Sequence, residues 1–84
     1  MSHSVHSSHP QIIARLKRAQ GHLAKVIKMM EEQASCNEVA QQLHAVEKAI
    51  TNAKRVLIHD HIDHCLDPEG TVALDELKSI TKYL

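Results

Sequence analysis

Residues 36–65 read CNEVAQQLHAVEKAITNAKRVLIHDHIDHC, and the fold turns on that stretch. Apolar residues recur at Val39, Leu43, Val46, Ile50, Ala53 and Leu57. Spacings of four and three lay them along one side of a helix, and His61 and Cys65 continue the series. Ser35, followed three residues later by Glu38, is a capping-box pattern and places the helix start there. Leu66-Asp67-Pro68-Glu69-Gly70 ends it, because Pro68 and Gly70 break helices. His61 and Cys65, four apart, stack on one face as a chelating pair. Cys36 lies about 37 Å from His61 at 1.5 Å per residue. A metal spans only roughly 4 Å between ligands, given bonds of about 2.0–2.3 Å. Either Cys36 has no part in the pair, or a second copy of the helix runs antiparallel and brings its own Cys36 there.

On the N-terminal side, Pro10 suits the first turn of another helix. Its apolar positions are Ile12, Leu16, Ala19, Leu23, Val26 or Ile27, and Met30, ending near Glu32-Gln33. Gly21 lies inside it at a cost of about 1 kcal/mol relative to Ala, which a close neighbour or DNA would explain. Residues 1–9, with His3, His6 and His9 among serines, read as a flexible His-rich arm, either a solvated tail or a source of one more metal ligand. On the C-terminal side, Thr71 caps a last short helix reaching Leu84, with Val72, Leu74, Leu77, Ile80 and Leu84 apolar. No strand-like alternation occurs. The expectation is an all-α, three-helix protomer, one domain over residues 1–84.

The chain has 84 residues, no Phe or Trp and one Tyr, so three such helices bury little by themselves, and oligomerisation is the remedy. Its two cysteines sit at opposite ends of a rigid rod, and with eight histidines they suggest metal chemistry rather than a disulfide. No apolar run is long enough to cross a bilayer, and Met1 to His6 lacks a signal-peptide pattern. The expected place is the cytoplasm, with no membrane partner.

Net charge is zero, but unevenly spread. Residues 1–30 hold Arg15, Lys17, Arg18, Lys25 and Lys28 and no acid, while the remainder holds all ten acids. Arg15, Arg18 and Lys25 share one side of the first helix; Lys54 and Arg55 add charge on the second. A charged helix face is often only solvated, yet the absence of any acid before Glu31 favours phosphate binding. No helix-turn-helix, zinc-finger or basic-zipper spacing is present. A DNA contact would therefore be a broad basic surface built from several protomers.

Thiolate and imidazole donors suit Cu(I), Zn(II), Ni(II) or Co(II) and not Mg or Ca. The competing reading is a cysteine and a histidine that merely pack. His64, three from His61, borders the same face and is a secondary candidate, while His59 points elsewhere. His22 and His44 are isolated and read as surface or interface residues. Asp60 and Asp63 look solvent-facing, and no catalytic set stands out, so an enzyme is not expected. A helical scaffold and a metal carrier are the rival classes.

The run Arg15-Leu16-Lys17-Arg18-Ala19-Gln20-Gly21-His22-Leu23 resembles the first-helix motif of the copper- and nickel/cobalt-sensing repressors, the CsoR/RcnR family. Gln41-Gln42-Leu43-His44-Ala45-Val46 resembles its second-helix signature, and Cys36, His61 and Cys65 fall where its Cys–His–Cys ligands fall. The resemblance covers nearly the whole chain. It implies an antiparallel four-helix-bundle dimer assembled as a dimer of dimers, each metal site taking Cys36 from one chain and His61 and Cys65 from its partner. It also implies a repressor that leaves operator DNA when metal binds, derepressing an efflux gene. Copper sensors of the family hold Cu(I) in trigonal coordination with three ligands; nickel and cobalt sensors add a histidine near the N-terminus. His3 or His6 fits that fourth role, which favours Ni(II) or Co(II), with Cu(I) as the alternative. Formaldehyde and persulfide sensors of the family tend to lack the second cysteine and the histidine respectively, so Cys65 and His61 count against both.

Overall fold

The computed structural model describes residues 8–65 and 74–84, with only the backbone of His64, Cys65 and Leu74. Three helices follow one another: α1 (His9–Glu31), α2 (Cys36–Cys65) and α3 (Leu74–Thr81). Among the described residues there is no strand. The three-helix, all-α expectation holds.

Pro10 occupies the first turn of α1, where its missing N–H has no helical partner to lose. The helix stops at Glu31, slightly earlier than expected, in a Schellman arrangement. Gln33 adopts φ 62°, its N–H donates to the Met30 carbonyl at 3.1 Å, and the Ala34 N–H donates to the Met29 carbonyl at 2.9 Å. The hydrophobic contact that accompanies such an ending comes from Met29 and Ala34, both packed on the core. The capping box then starts α2: the Glu38 N–H donates to Ser35 Oγ at 3.2 Å, and Ser35 Oγ donates to the Glu38 carboxylate at 3.0 Å. So short a connection folds α1 and α2 into an antiparallel hairpin. α3 packs on α2; the Thr71 cap expected for it lies outside the described residues.

The hairpin seam is narrow. Ile12, Ala19 and Val26 of α1 are buried with Val39, Val46 and Ala53 of α2, each series spaced by seven residues as in a coiled coil. This corrects the single broad stripe expected on each helix. Leu16, Leu23, Ile27 and Met30 on α1, and Leu43, Ile50 and Leu57 on α2, are exposed. Helix geometry explains the split. On either side of a seam residue i, positions i−4 and i+3 fall to one edge and i−3 and i+4 to the other. Leu16 and Leu23 flank Ala19 on one edge, and Leu43 and Ile50 flank Val46 on that same edge of the hairpin. Met30 and Leu43 accordingly line one cleft together. The chain measures 55 × 23 × 14 Å, so its least dimension is about one helix diameter. Among the described residues, nothing buries Leu16, Leu23, Leu43, Ile50 or Leu57 on that edge.

Candidate metal centre and nucleic-acid interface

The apolar edge of α2 begins and ends in metal donors. Cys36 lies seven residues before Leu43, is exposed, and lines the cleft with Met30, Ala34, Val39, Ala40 and Leu43. Ile50 and Leu57 follow at sevens, and His61, one turn past Leu57, is half-buried. Cys36 thus lies on the exposed edge, and His61, half-buried, follows one turn past the last exposed residue of that edge. The helix is continuous from Cys36 to Cys65, which keeps Cys36 about 37 Å from His61. No three His, Cys, Asp or Glu side chains among the described residues converge on one point. The donor set suits a soft cation, but one chain cannot close the site. The side chains of Cys65 and His64, and all of His3 and His6, lie outside the described residues.

The opposite edge of the hairpin is polar. Arg15 and His22 flank Ala19 there, and Gln42 and Ala49 flank Val46. One cleft on this edge is lined by Arg15, Arg18, Ala19, His22, Ala49 and Asn52. A second continues from Arg15 and Asn52 past Arg55 and His59 to Asp60, Asp63 and Ser8. Three of the expected cations, Arg15, Arg18 and Arg55, are thus gathered from two helices. Lys17, Lys25 and Lys54 are exposed but line neither cleft, and Lys54, four residues after Ile50, belongs to the apolar edge. Asp60, half-buried, and Asp63, exposed as expected, both line this groove.

The sequence reading missed His22. Its Nε2 lies 2.6 Å from the Gln42 carboxamide oxygen in a half-buried bond between α1 and α2. Both residues fall three or four positions from a seam residue on the same edge, but the seam itself is defined only once the hairpin forms. His44 is a surface residue as expected, 3.8 Å from Glu47 on the same helix. Gly21 is not explained by crowding within the chain: a Cβ there would meet nothing within 4 Å. No described helix is long and apolar enough to cross a membrane.

A helical hairpin with a thiol and an imidazole at the two ends of one edge and guanidinium groups on the other has the donor types of a metal-responsive helical protein. The chain belongs to the metal-sensitive transcriptional repressors, whose family pattern matches residues 8–83. It is 39% identical over 88 residues to the copper-sensing transcriptional repressor CsoR of Mycobacterium ulcerans, covering 99% of this chain and 75% of that one. It is 36% identical over 74 residues to the protein of the same name from Mycobacterium tuberculosis H37Rv, covering 82% and 62%. With the Bacillus subtilis CsoR it shares 30% over 87 residues, covering 98% and 86%. No solved structure is significantly similar.

Proposed function

We propose that the chain represses transcription by holding operator DNA in its metal-free form and releases it when Cu(I) binds between two copies. One observation carries this reading: the uncovered apolar stripe runs from a thiol at one end of α2 to an imidazole at the other. A second chain laid antiparallel on that stripe buries it and brings Cys36 of one copy to His61 and Cys65 of the other. Cys36, His61 and Cys65 are then the ligands, with His64 beside them. Bound metal supplies a cross-link between the two chains. The assembly is an antiparallel four-helix bundle, paired again as a dimer of dimers. The polar edges stay outside it, so Arg15, Arg18 and Arg55 remain open to DNA, with Lys17 and Lys25 adding to the surrounding field and Lys54 at the rim of the contact between chains. The work is done in the cytoplasm, on the promoter of a metal-efflux gene.

The names of the relatives support copper over the nickel or cobalt that the arm histidines favoured. A Ni(II)- or Co(II)-responsive repressor, with His3 or His6 as fourth ligand, is the second reading and rests on that His-rich arm. Anisotropy of a labelled fragment of the protein's own promoter, followed under anaerobic Cu(I), Ni(II) and Co(II), separates the two. Cu(I) is expected to dissociate the complex at about one ion per chain, each dimer holding two equivalent sites. Cys36→Ala should bind the fragment as before and ignore Cu(I). Loss of DNA binding in Cys36→Ala would make the thiol structural and defeat the sensor reading. No metal-reversible binding in the natural chain would favour a carrier or scaffold.

A further inference from the structure

The groove-side hydrogen bond from His22 to Gln42 has no role in the reading above. We infer that it is a register pin: it fixes α1 against α2 so that Arg15 and Arg18 on one helix match Arg55 on the other at the spacing of DNA phosphates. The inference rests on the proposal that this groove meets operator DNA, and its test is arranged to keep the two apart.

The seam invites slippage. Its buried residues are Ile12, Ala19 and Val26 against Val39, Val46 and Ala53. All are apolar, small or β-branched, and repeat every seven residues on both helices. Such a seam packs almost as well after a small rotation or slide of one helix, because dispersion and burial have no direction. A polar pair in a coiled-coil seam removes that freedom, and register setting is the best-attested use of such a pair. Here the ring nitrogen and the amide oxygen lie 2.6 Å apart and half-buried. With the amide oxygen facing the ring, Nε2 carries the proton and donates. Any shift of register breaks this bond between two half-buried groups.

The pin is well placed to act on the cations. His22 is one turn from Arg18 and two turns from Arg15, and all three line one cleft with Asn52 of α2. Asn52 and Arg15 also line the neighbouring cleft, which Arg55 enters. The basic residues are exposed, and the relation between the two rows follows from how the two backbones are set against each other. His22 and Gln42 are positioning residues in this account and do not themselves contact DNA.

The test is operator binding by the full chain across a salt series, with His22→Ala, Gln42→Ala, the double variant and His22→Gln. Circular dichroism and sedimentation report the fold and assembly of each. Both single variants should keep helicity and assembly and bind on the order of tenfold more weakly, with the double variant no worse than either, as expected for two residues acting through one bond. The salt slope should fall by about 1, because fewer phosphates are met at once. His22→Gln, an amide that can still donate to Gln42, should recover most of the affinity. Gln42→Leu keeps the helices packed if alanine loosens them, and it must show the same loss. The inference is overturned if His22→Ala weakens binding while Gln42→Ala does not, since His22 would then touch DNA itself. Additive losses, or unchanged affinity in both single variants, overturn it equally. An absence of salt-sensitive DNA binding in the natural chain would instead remove the repressor reading on which the pin depends.

Discussion

Ile50→Asp is the perturbation that most directly tests the shared edge. Ile50 lies midway between the donors, so in an antiparallel pair that brings Cys36 against the stretch from His61 to Cys65 it meets its own counterpart near the twofold axis. It is 45% exposed in the single chain. Complete burial of an isoleucine contributes about 1.5–3 kcal/mol, so the partner chain adds about 1 kcal/mol per copy and about 2 kcal/mol per dimer. The aspartate forfeits that and adds two carboxylates to an apolar contact around a symmetry axis. Burial of an unpaired charge adds several kcal/mol more unless it takes up a proton or reaches water. Even with most of that relieved, a loss of about 4 kcal/mol is a lower bound, which is close to a thousandfold in Kd. Sedimentation equilibrium at micromolar protein should show the natural chain assembled and Ile50→Asp dissociated. Asn52→Asp, a charge of the same sign on the groove edge, should leave the assembly intact. An Ile50→Asp chain that sediments like the natural one would refute the stripe as the contact between copies and remove the reason for a shared metal site.

Gln33→Gly should stabilise the protein by about 1 kcal/mol, read by urea denaturation, because Gln33 holds a left-handed conformation that costs a side-chain-bearing residue about 1–2 kcal/mol. Ser35→Ala should cost about 1 kcal/mol in the same assay, since it removes the acceptor for the Glu38 N–H at the start of α2. Gly21→Ala should raise stability by about 1 kcal/mol, as the added methyl meets nothing in the chain. A fall in operator affinity despite that gain would show that the surface around Lys17, Gly21 and Lys25 approaches DNA closely. Arg15→Ala should lower the slope of log K against log salt by about 1, and an unchanged slope would remove Arg15 from the phosphate contacts.

The helices could be read from the sequence because their signals are local. Pro10, the Ser35–Glu38 box and the three-four spacing each act within a turn or two, and each helix start they imply agrees with the described structure. The division of each apolar face could not be read so easily. Val46 and Ile50 are equivalent to a periodicity argument, yet one is 4% and the other 45% exposed. What separates them is how many helices lie beside α2 within one chain. Leu43, Ile50 and Leu57 look like core in sequence, and under the proposed pairing of two chains they would join one. The same blindness hid the His22–Gln42 bond. Each residue alone is an unremarkable polar position, and only the hairpin brings residues twenty apart together.

The division of labour between the two edges bears on how metal and DNA communicate. His61 continues the apolar edge, whereas Asp60 and Asp63 face the groove that holds Arg15 and Arg55. These residues lie within a single turn of α2, whose backbone is continuous there. A turn of helix this short moves as a unit, since its i to i−4 hydrogen bonds tie its faces together. Any rotation or tilt that draws His61 toward a donor on another chain therefore also shifts two carboxylates relative to two guanidinium groups. Coulomb energies at a protein surface change by kcal/mol over a few ångströms, and typical allosteric couplings need only about 1–3 kcal/mol. Under the proposed function no long relay is required: the end of α2 would belong to both sites, since one helix reaches each edge of the hairpin.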